Sequence, residues 1–82
     1  MLSVEGVMVY TVQAAWDDEA KVWVAESEDV PGLATEAASP ETLLNKLRVL
    51  VPELLELNGR LPSNEKSVEV VIRYQREERA IP

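Results

Sequence analysis

One apolar segment constrains the fold of this chain more than any other feature of the sequence. Between residues 43 and 55, leucine and valine recur at helical spacing, while polar side chains occupy the opposite face. Ser39-Pro40-Glu41 is a typical helix start, because serine accepts hydrogen bonds from free backbone amides and proline suits the first helical position. Asn58-Gly59 is a typical helix end. We therefore predict one helix over residues 40–57. Four of its leucines should be buried against a sheet: Leu43, Leu47, Leu50 and Leu54.

Four strands are predicted around this helix from runs of alternating apolar residues. Their ranges are Val7–Ala15, Val22–Ser27, Leu33–Ala38 and Val68–Tyr74. Both faces of the first strand are apolar, which places it at the centre of the sheet. The polar turn Trp16–Lys21 joins the first two strands into an antiparallel hairpin. The order β-β-β-α-β predicts an α+β fold, with a mostly antiparallel sheet and one helix packed on one face.

The length of 82 residues suits a single domain, which we place at residues 1–82. We expect an ordered core at about 7–75 and a loose, charged C-terminal tail at 76–82. Because the chain has no phenylalanine, its core is small, and small cores often gain support from self-association. We therefore expect a homodimer or a higher homo-oligomer.

The absence of cysteine and histidine excludes several classes of function. Without them the chain has no disulfide, no thiolate nucleophile, no imidazole acid–base catalyst and none of the usual zinc ligands. We therefore predict a protein that is not an enzyme and that needs no metal or cofactor. The segment Met1–Tyr10 lacks the features of a signal peptide, and no apolar run approaches the ~18–20 residues that cross a bilayer. These features indicate a cytoplasmic protein without membrane contact.

The net charge of −7 is distributed unevenly along the chain. Residues 1–38 contain eight acidic side chains and one basic side chain, whereas residues 39–82 contain seven of each. An acidic surface repels phosphate and attracts basic proteins, although solubility alone would also account for it. The three glycines form no phosphate loop, and the basic residues do not cluster with aromatic ones. We therefore expect no direct binding of nucleic acid.

Acidic and aromatic residues near the predicted hairpin are the candidates for a partner-binding site. The candidates are Trp16, Trp23, Glu26, Glu28, Asp29, Pro31 and Gly32. The carboxylates could contact a basic partner, act as an acid–base pair or simply be solvated, and a two-layer domain of this size has little room for a catalytic pocket. The tryptophans could anchor a partner or brace the hairpin by cross-strand packing. A further acidic run, Asp17–Glu19, forms either a solvated turn or a divalent-cation site, and its spacing fits no calcium loop.

Three segments together follow the pattern of a known family. Val12–Ala25 resembles that family's first hairpin, with its polar turn and following aromatic residue. Ser27–Ala37 resembles a loop written as aspartate, an apolar residue, proline and glycine, which is Asp29–Gly32 here. Ser39–Leu44 resembles the family's capped helix start. This resemblance, which covers residues 10–58, is to the HicB-like antitoxin family and its small relatives of unknown function.

The resemblance implies a partial ribonuclease-H-like fold without its active site. Members of the family commonly dimerise, and typical ones neutralise a small basic RNA-cleaving toxin of the HicA type. Typical members also carry a C-terminal DNA-binding module, which we expect to be missing here because the chain ends soon after Tyr74. We therefore predict a non-catalytic protein-binding domain that neutralises such a toxin, as an antitoxin does. The alternatives are a structural or oligomerisation domain without a toxin partner, and a degenerate nucleic-acid-binding protein.

Overall fold

The chain forms a sheet with one helix packed on it. The computed structural model describes residues 2–4, 6–60 and 67–81. Within these ranges the elements are β1 (Leu2–Val4), β2 (Val7–Asp17), β3 (Val22–Glu26), β4 (Ala34–Ala37), α1 (Pro40–Leu57) and β5 (Ser67–Gln75). The predicted α+β class and the order β-β-β-α-β are confirmed, and β1 precedes them as an additional strand that the sequence pattern does not indicate. A strand of three residues is too short to show an alternating pattern.

β2 is the central strand of the sheet, as its two apolar faces predict. β5 pairs with it in parallel along Val7–Ala15. The opposite edge of β2 is shared, because β1 pairs antiparallel with Val7–Val9 and β3 pairs antiparallel with Gln13–Asp17. β4 pairs antiparallel with β3 and therefore runs parallel to β2. The crossover through α1 returns the chain to the same end of the sheet, so β5 also runs parallel to β2.

Local sequence determines both ends of α1. The Ser39 hydroxyl accepts a hydrogen bond from the backbone N–H of Thr42 at 3.2 Å, as an N-cap serine should. At the other end, the backbone N–H of Asn58 donates to the Leu54 carbonyl at 3.0 Å. Gly59 follows with a φ of 64°, in the left-handed region that a residue without Cβ enters easily. The predicted start and end of the helix are confirmed.

The buried stripe of α1 differs in part from the predicted one. Four helix residues spaced by four positions are fully buried: Leu43, Leu47, Val51 and Leu55. The predicted burial is confirmed for Leu43 and Leu47, whereas Leu50 and Leu54 pack against this core but are only partly buried. Because residues four apart stack along one face of a helix, Val51 and Leu55 continue the line of contact with the sheet. Leu50 and Leu54 lie on the flank of that line.

The sheet has a face covered by α1 and a face turned away from it, which we call the open face. Tyr10 and Val12 of β2 point toward α1 and are buried. Their neighbours point the other way, since side chains alternate along a strand, and Ala15 is exposed. The register carries this alternation across the sheet, so Val24 of β3 and Val71 of β5 lie on the open face. They are 40% and 37% exposed, which leaves apolar surface on that side.

Two predictions about the extent of the domain stay predictions. Residues 76–81 carry no regular secondary structure, but the limits of the core at 7–75 and of a loose tail at 76–82 are untested. The same holds for a single domain over residues 1–82. Within the described ranges, no helix combines the length and the apolar character that spanning a bilayer requires.

Candidate partner-binding site

The predicted site residues fall into three groups that the fold separates. The tryptophans lie near the hairpin turn, the glutamates are exposed where β3 ends, and the other residues lie in the loop between β3 and β4. The other residues are Asp29, Pro31 and Gly32. Trp23 and Glu26 are three positions apart on β3, so their side chains project to opposite faces of the sheet. The seven candidates therefore do not form one continuous surface.

Trp16 and Trp23 pack against each other across the hairpin. They are directly opposite in the register of β2 and β3, with ring centroids 5.3 Å apart and an angle of 61° between the rings. Tyr74 of β5 extends the cluster, 5.1 Å from Trp23 and at 83° to it. The guanidinium of Arg76 lies 4.9 Å above the Trp16 ring. These edge-to-face and cation–π arrangements support the cross-strand packing interpretation of the tryptophans.

The sequence pattern did not indicate Tyr74 and Arg76 as members of this cluster. Tyr74 reaches Trp23 because β5 pairs in parallel with β2 and places Tyr74 beside Ala14. The alternating apolar pattern places Tyr74 in the last predicted strand. The local sequence does not specify which strand lies next to it. That the tryptophans also contact a partner stays a prediction.

Asp29 closes a gap in the hydrogen bonding of the central strand. β1 and β3 share one edge of β2, and Thr11 lies between the two paired segments. The Asp29 carboxylate accepts a hydrogen bond from the Thr11 N–H at 2.8 Å, and the Ser27 hydroxyl donates to the Thr11 carbonyl at 2.6 Å. We call these two bonds the Thr11 bridge. Two side chains thus satisfy the backbone groups that a neighbouring strand would otherwise satisfy.

The Thr11 bridge also favours the ionised form of Asp29. The hydrogen bond from the Thr11 N–H lowers the pKa of the Asp29 carboxyl, because it stabilises the ionised form, while burial acts in the opposite direction. Asp29 is therefore ionised at neutral pH. A carboxylate held in this way serves as a hydrogen-bond acceptor of the fold.

Hydrogen bonds connect the loop that follows the Thr11 bridge to the sheet and to the end of α1. The Ser27 hydroxyl accepts hydrogen bonds from the backbone N–H groups of Asp29 and Val30, at 3.1 and 3.2 Å. The Asn58 side-chain amide donates to the Pro31 carbonyl at 3.3 Å. Gly32 has a φ of 83°, and a Cβ at this position would lie 3.7 Å from Leu54. The aspartate-apolar-proline-glycine motif therefore forms a turn, and the positive φ of its last residue favours glycine.

Glu26 and Glu28 are the predicted carboxylates that face solvent without a structural hydrogen bond among the described residues. With Gln13 and Ser27 they line an open cleft of about 440 Å³ at the end of β3. Glu26 lies on the open face, two positions from the exposed Val24. This corner of the open face therefore combines negative charge with exposed apolar surface.

The acidic hairpin turn uses its carboxylates to organise its own backbone. The Asp17 carboxylate accepts hydrogen bonds from the N–H groups of Glu19 and Ala20, at 3.0 and 3.1 Å. Asp18 pairs with Lys21 at 2.8 Å, and this bond is the largest cause that lowers the pKa of Asp18. In the part of the chain that the structure describes, no group of three or more acidic side chains could hold a metal ion. The arrangement is that of a self-contained turn.

Comparison with known proteins assigns the chain to a family. Residues 9–81 match the family described as a domain of unknown function, DUF1902. The chain is a DUF1902 domain. A solved structure, of a hypothetical protein from the extremely thermophilic bacterium Thermus thermophilus, is 53% identical in sequence. The match covers 90% of this chain and 99% of that one, with a TM-score of 0.68. Among proteins with curated descriptions, none matches the chain.

The candidate site lies entirely inside the DUF1902 match, because the matched residues include the hairpin, the Thr11 bridge and the loop that follows it. The candidate site is therefore part of the matched domain. The narrower resemblance to the HicB-like antitoxins stays a prediction.

Proposed function

We propose that this DUF1902 domain is a non-catalytic protein-binding domain that binds a basic protein at the end of β3. The observation that carries the proposal is the exposed pair Glu26 and Glu28, which line one cleft, with Glu26 on the open face two positions from the exposed Val24. The Thr11 bridge holds the backbone of the loop that contains Glu28, so this part of the surface is ordered before a partner arrives. A preorganised surface loses less conformational entropy on binding than a mobile one does.

The distribution of charge supports a basic partner. The excess charge of −7 lies in residues 1–38, which form the half of the domain from β1 to β4, whereas residues 39–82 have no net charge. Such a field attracts a basic protein over distances of about one Debye length, roughly 10 Å at 0.1 M salt. Association with the partner should therefore be fast and sensitive to salt.

A small basic RNA-cleaving toxin of the HicA type is the partner class that we propose. A protein that holds RNA phosphate offers a positive surface, and the carboxylates of Glu26 and Glu28 would occupy the position of that phosphate. This part of the proposal uses the resemblance to the HicB-like antitoxins, and it implies a complex in the cytoplasm. We propose in addition that the domain acts as a homodimer.

The absence of catalysis is also part of the proposal. Asp18 and Asp29 are the described carboxyl groups with a clear pKa shift, and in both the pKa is lowered. A general acid near neutral pH needs a raised pKa, so neither group suits that role. The hydrogen bonds of both groups instead serve the turn and the Thr11 bridge.

A charge-reversal comparison tests the proposed surface. The double variant Glu26→Lys, Glu28→Lys should retain the fold, because both side chains are exposed. The matched control is Glu53→Lys, Glu56→Lys on the exposed side of α1, which changes the net charge by the same amount. Affinity capture from the source cell, followed by calorimetry with the recovered partner at about 50 and 300 mM salt, gives the readout.

We expect the wild type and the control to bind one basic protein. The Glu26, Glu28 variant should bind that protein at least about tenfold more weakly. We also expect the partner to bind more weakly at the higher salt concentration. Recovery of an acidic or neutral partner would contradict the proposal, as would equal binding by all three proteins. If no partner is recovered while the protein forms a stable oligomer, the structural or oligomerisation domain becomes the better interpretation. Among the described strands, none pairs with the outer edge of β5, and this favours that second candidate, since a long unpaired strand is a natural site of self-association.

A further inference from the structure

The outer edge of β5 has the pattern of a surface that pairs with itself. Among the described elements, β5 pairs with β2 alone, so its nine residues leave one edge without a neighbour. We propose that β5 pairs antiparallel with β5 of a second copy of this chain, with Val71 on the two-fold axis. The proposal rests on the homodimer proposed above. It uses a different edge of the sheet from the basic partner, because the outer edge of β5 lies across β2 from β3, although Arg73 and Glu26 line a common cleft.

The hydrogen bonds of the sheet show which groups of β5 face this edge. The Ser67 N–H donates to the Gly6 carbonyl at 2.8 Å, so Ser67 points its backbone groups toward β2. Along a strand, successive residues direct their N–H and C=O groups to alternate sides. The residues that direct both groups to the free edge are therefore Val68, Val70, Ile72 and Tyr74.

Only some registers of an antiparallel pair satisfy these outward groups. Each outward-facing residue must lie opposite an outward-facing residue of the second copy. With Val71 opposite itself, Val70 faces Ile72 and Val68 faces Tyr74, and each of these pairs exchanges two hydrogen bonds. The full length of β5, Ser67–Gln75, is then paired. A two-fold axis at Val70 or Ile72 would shorten the paired length and lose hydrogen bonds at the ends.

Charge complementarity selects the same register. Glu69 and Arg73 lie on the open face and form no ion pair with any described side chain. With Val71 on the axis, Glu69 of each copy faces Arg73 of the other, so the strand supplies two opposite-charge pairs around a central valine pair. A two-fold axis at Val70 would instead place Glu69 opposite Val71.

The other side of the pair is apolar and continues the side of the sheet on which α1 packs. Val68 and Tyr74 are 37% and 43% exposed on that side, and they face each other across the proposed axis. Beside them a cleft between α1 and β5 is lined mainly by apolar side chains. These include Leu44, Leu47, Pro52, Val68 and Val70. The second copy would therefore cover apolar surface that one chain leaves in contact with water.

A cysteine at the two-fold axis gives the direct test. In a non-hydrogen-bonded antiparallel pair the facing Cα atoms are about 4.5 Å apart, a distance that a disulfide can span. The chain has no cysteine, so Val71→Cys introduces a single thiol. Val24→Cys is the matched control, because Val24 is a valine of similar exposure on the same face but on β3. Under mild oxidation, Val71→Cys should form a covalent dimer on non-reducing gels, and Val24→Cys should remain a single chain.

Charge reversal supplies the second test. Glu69→Arg and Arg73→Glu each place like charges opposite one another twice, and each should raise the dimer dissociation constant about tenfold in light scattering. The combined variant Glu69→Arg, Arg73→Glu restores the opposite-charge pairs and should recover dimerisation.

The outcomes distinguish the β5 pairing from the homodimer in general and from the basic partner. A wild-type protein that is monomeric at tens of micromolar would overturn both the β5 pairing and the homodimer, and would leave the basic partner unaffected. A dimer in which Val71→Cys fails to cross-link, or in which the charge reversals have no effect, would overturn the β5 pairing alone.

Discussion

Replacing Asp29 with alanine tests the Thr11 bridge, the feature that most clearly joins the candidate site to the stability of the fold. The substitution leaves the Thr11 N–H without its acceptor, which lies 2.8 Å away in the native structure. A hydrogen bond to a charged group contributes about 1.5–3 kcal/mol, and partial burial of Asp29 favours the lower half of this range. We therefore expect the free energy of unfolding to fall by about 1.5–2 kcal/mol.

Urea denaturation followed by tryptophan fluorescence measures this loss. With a slope of about 1 kcal/mol per molar urea, the midpoint should fall by roughly 1.5–2 M. All proteins should be compared at one concentration, since self-association would add to the apparent stability. Glu28→Ala is the matched control, because it removes a neighbouring carboxylate that is exposed, and it should change the stability by less than about 0.5 kcal/mol.

The lowered pKa of Asp29 adds a pH dependence with a definite sign. A carboxyl group whose pKa is lower in the folded state stabilises the fold at pH values above its unfolded pKa, about 3.9. That contribution is lost as the pH falls through the lower folded pKa. Stability should therefore decline below about pH 4 in the wild type, and this part of the decline should be absent in Asp29→Asn. A loss below about 0.5 kcal/mol in Asp29→Ala, or an unchanged acid profile in Asp29→Asn, would show that the Thr11 bridge is not a stabilising contact.

Three further substitutions probe the core, the helix cap and the aromatic cluster. Leu47→Ala should cost about 2–5 kcal/mol in urea unfolding, because Leu47 is fully buried, whereas Leu57→Ala should be nearly neutral, because Leu57 is 81% exposed. Equal effects would contradict the assigned core. Ser39→Ala should cost about 1 kcal/mol by loss of the N-cap, with the helix signal in far-UV circular dichroism otherwise unchanged. Tyr74→Ala should alter the near-UV circular dichroism of Trp23 and reduce stability by about 0.5–1.5 kcal/mol beyond the loss of buried area; an unchanged spectrum would argue against the contact.

The Thr11 bridge changes the interpretation of the candidate site. Asp29, Pro31 and Gly32 belong to a turn that holds β2, the loop and the end of α1 together, so substitutions there test folding as much as binding. Glu26 and Glu28 have no such role among the described residues, and a change in binding after their substitution would report on the surface itself. This difference is the reason that the proposed binding test uses these two glutamates.

The sequence alone predicted α1, the strands β2 to β5 and their order, but not β1. The leucine spacing, the Ser39 cap and the Asn58-Gly59 end predict α1 closely, because helix periodicity and capping are local properties of the chain. The strand runs and the polar turn predict the hairpin for the same reason. Together they were sufficient for the α+β class and for the central position of β2.

Tertiary structure alone decided what the candidate residues do. The Thr11 bridge joins residues 18 positions apart, and it exists because β1 and β3 leave Thr11 unpaired between them, which no local pattern specifies. Tyr74 reaches Trp23 only through the parallel register of β5 on β2. Both contacts depend on which strands are neighbours and in which register. Pairing between distant strands is selected by the packing of the whole core, since the backbone hydrogen bonds of alternative registers are equivalent in kind.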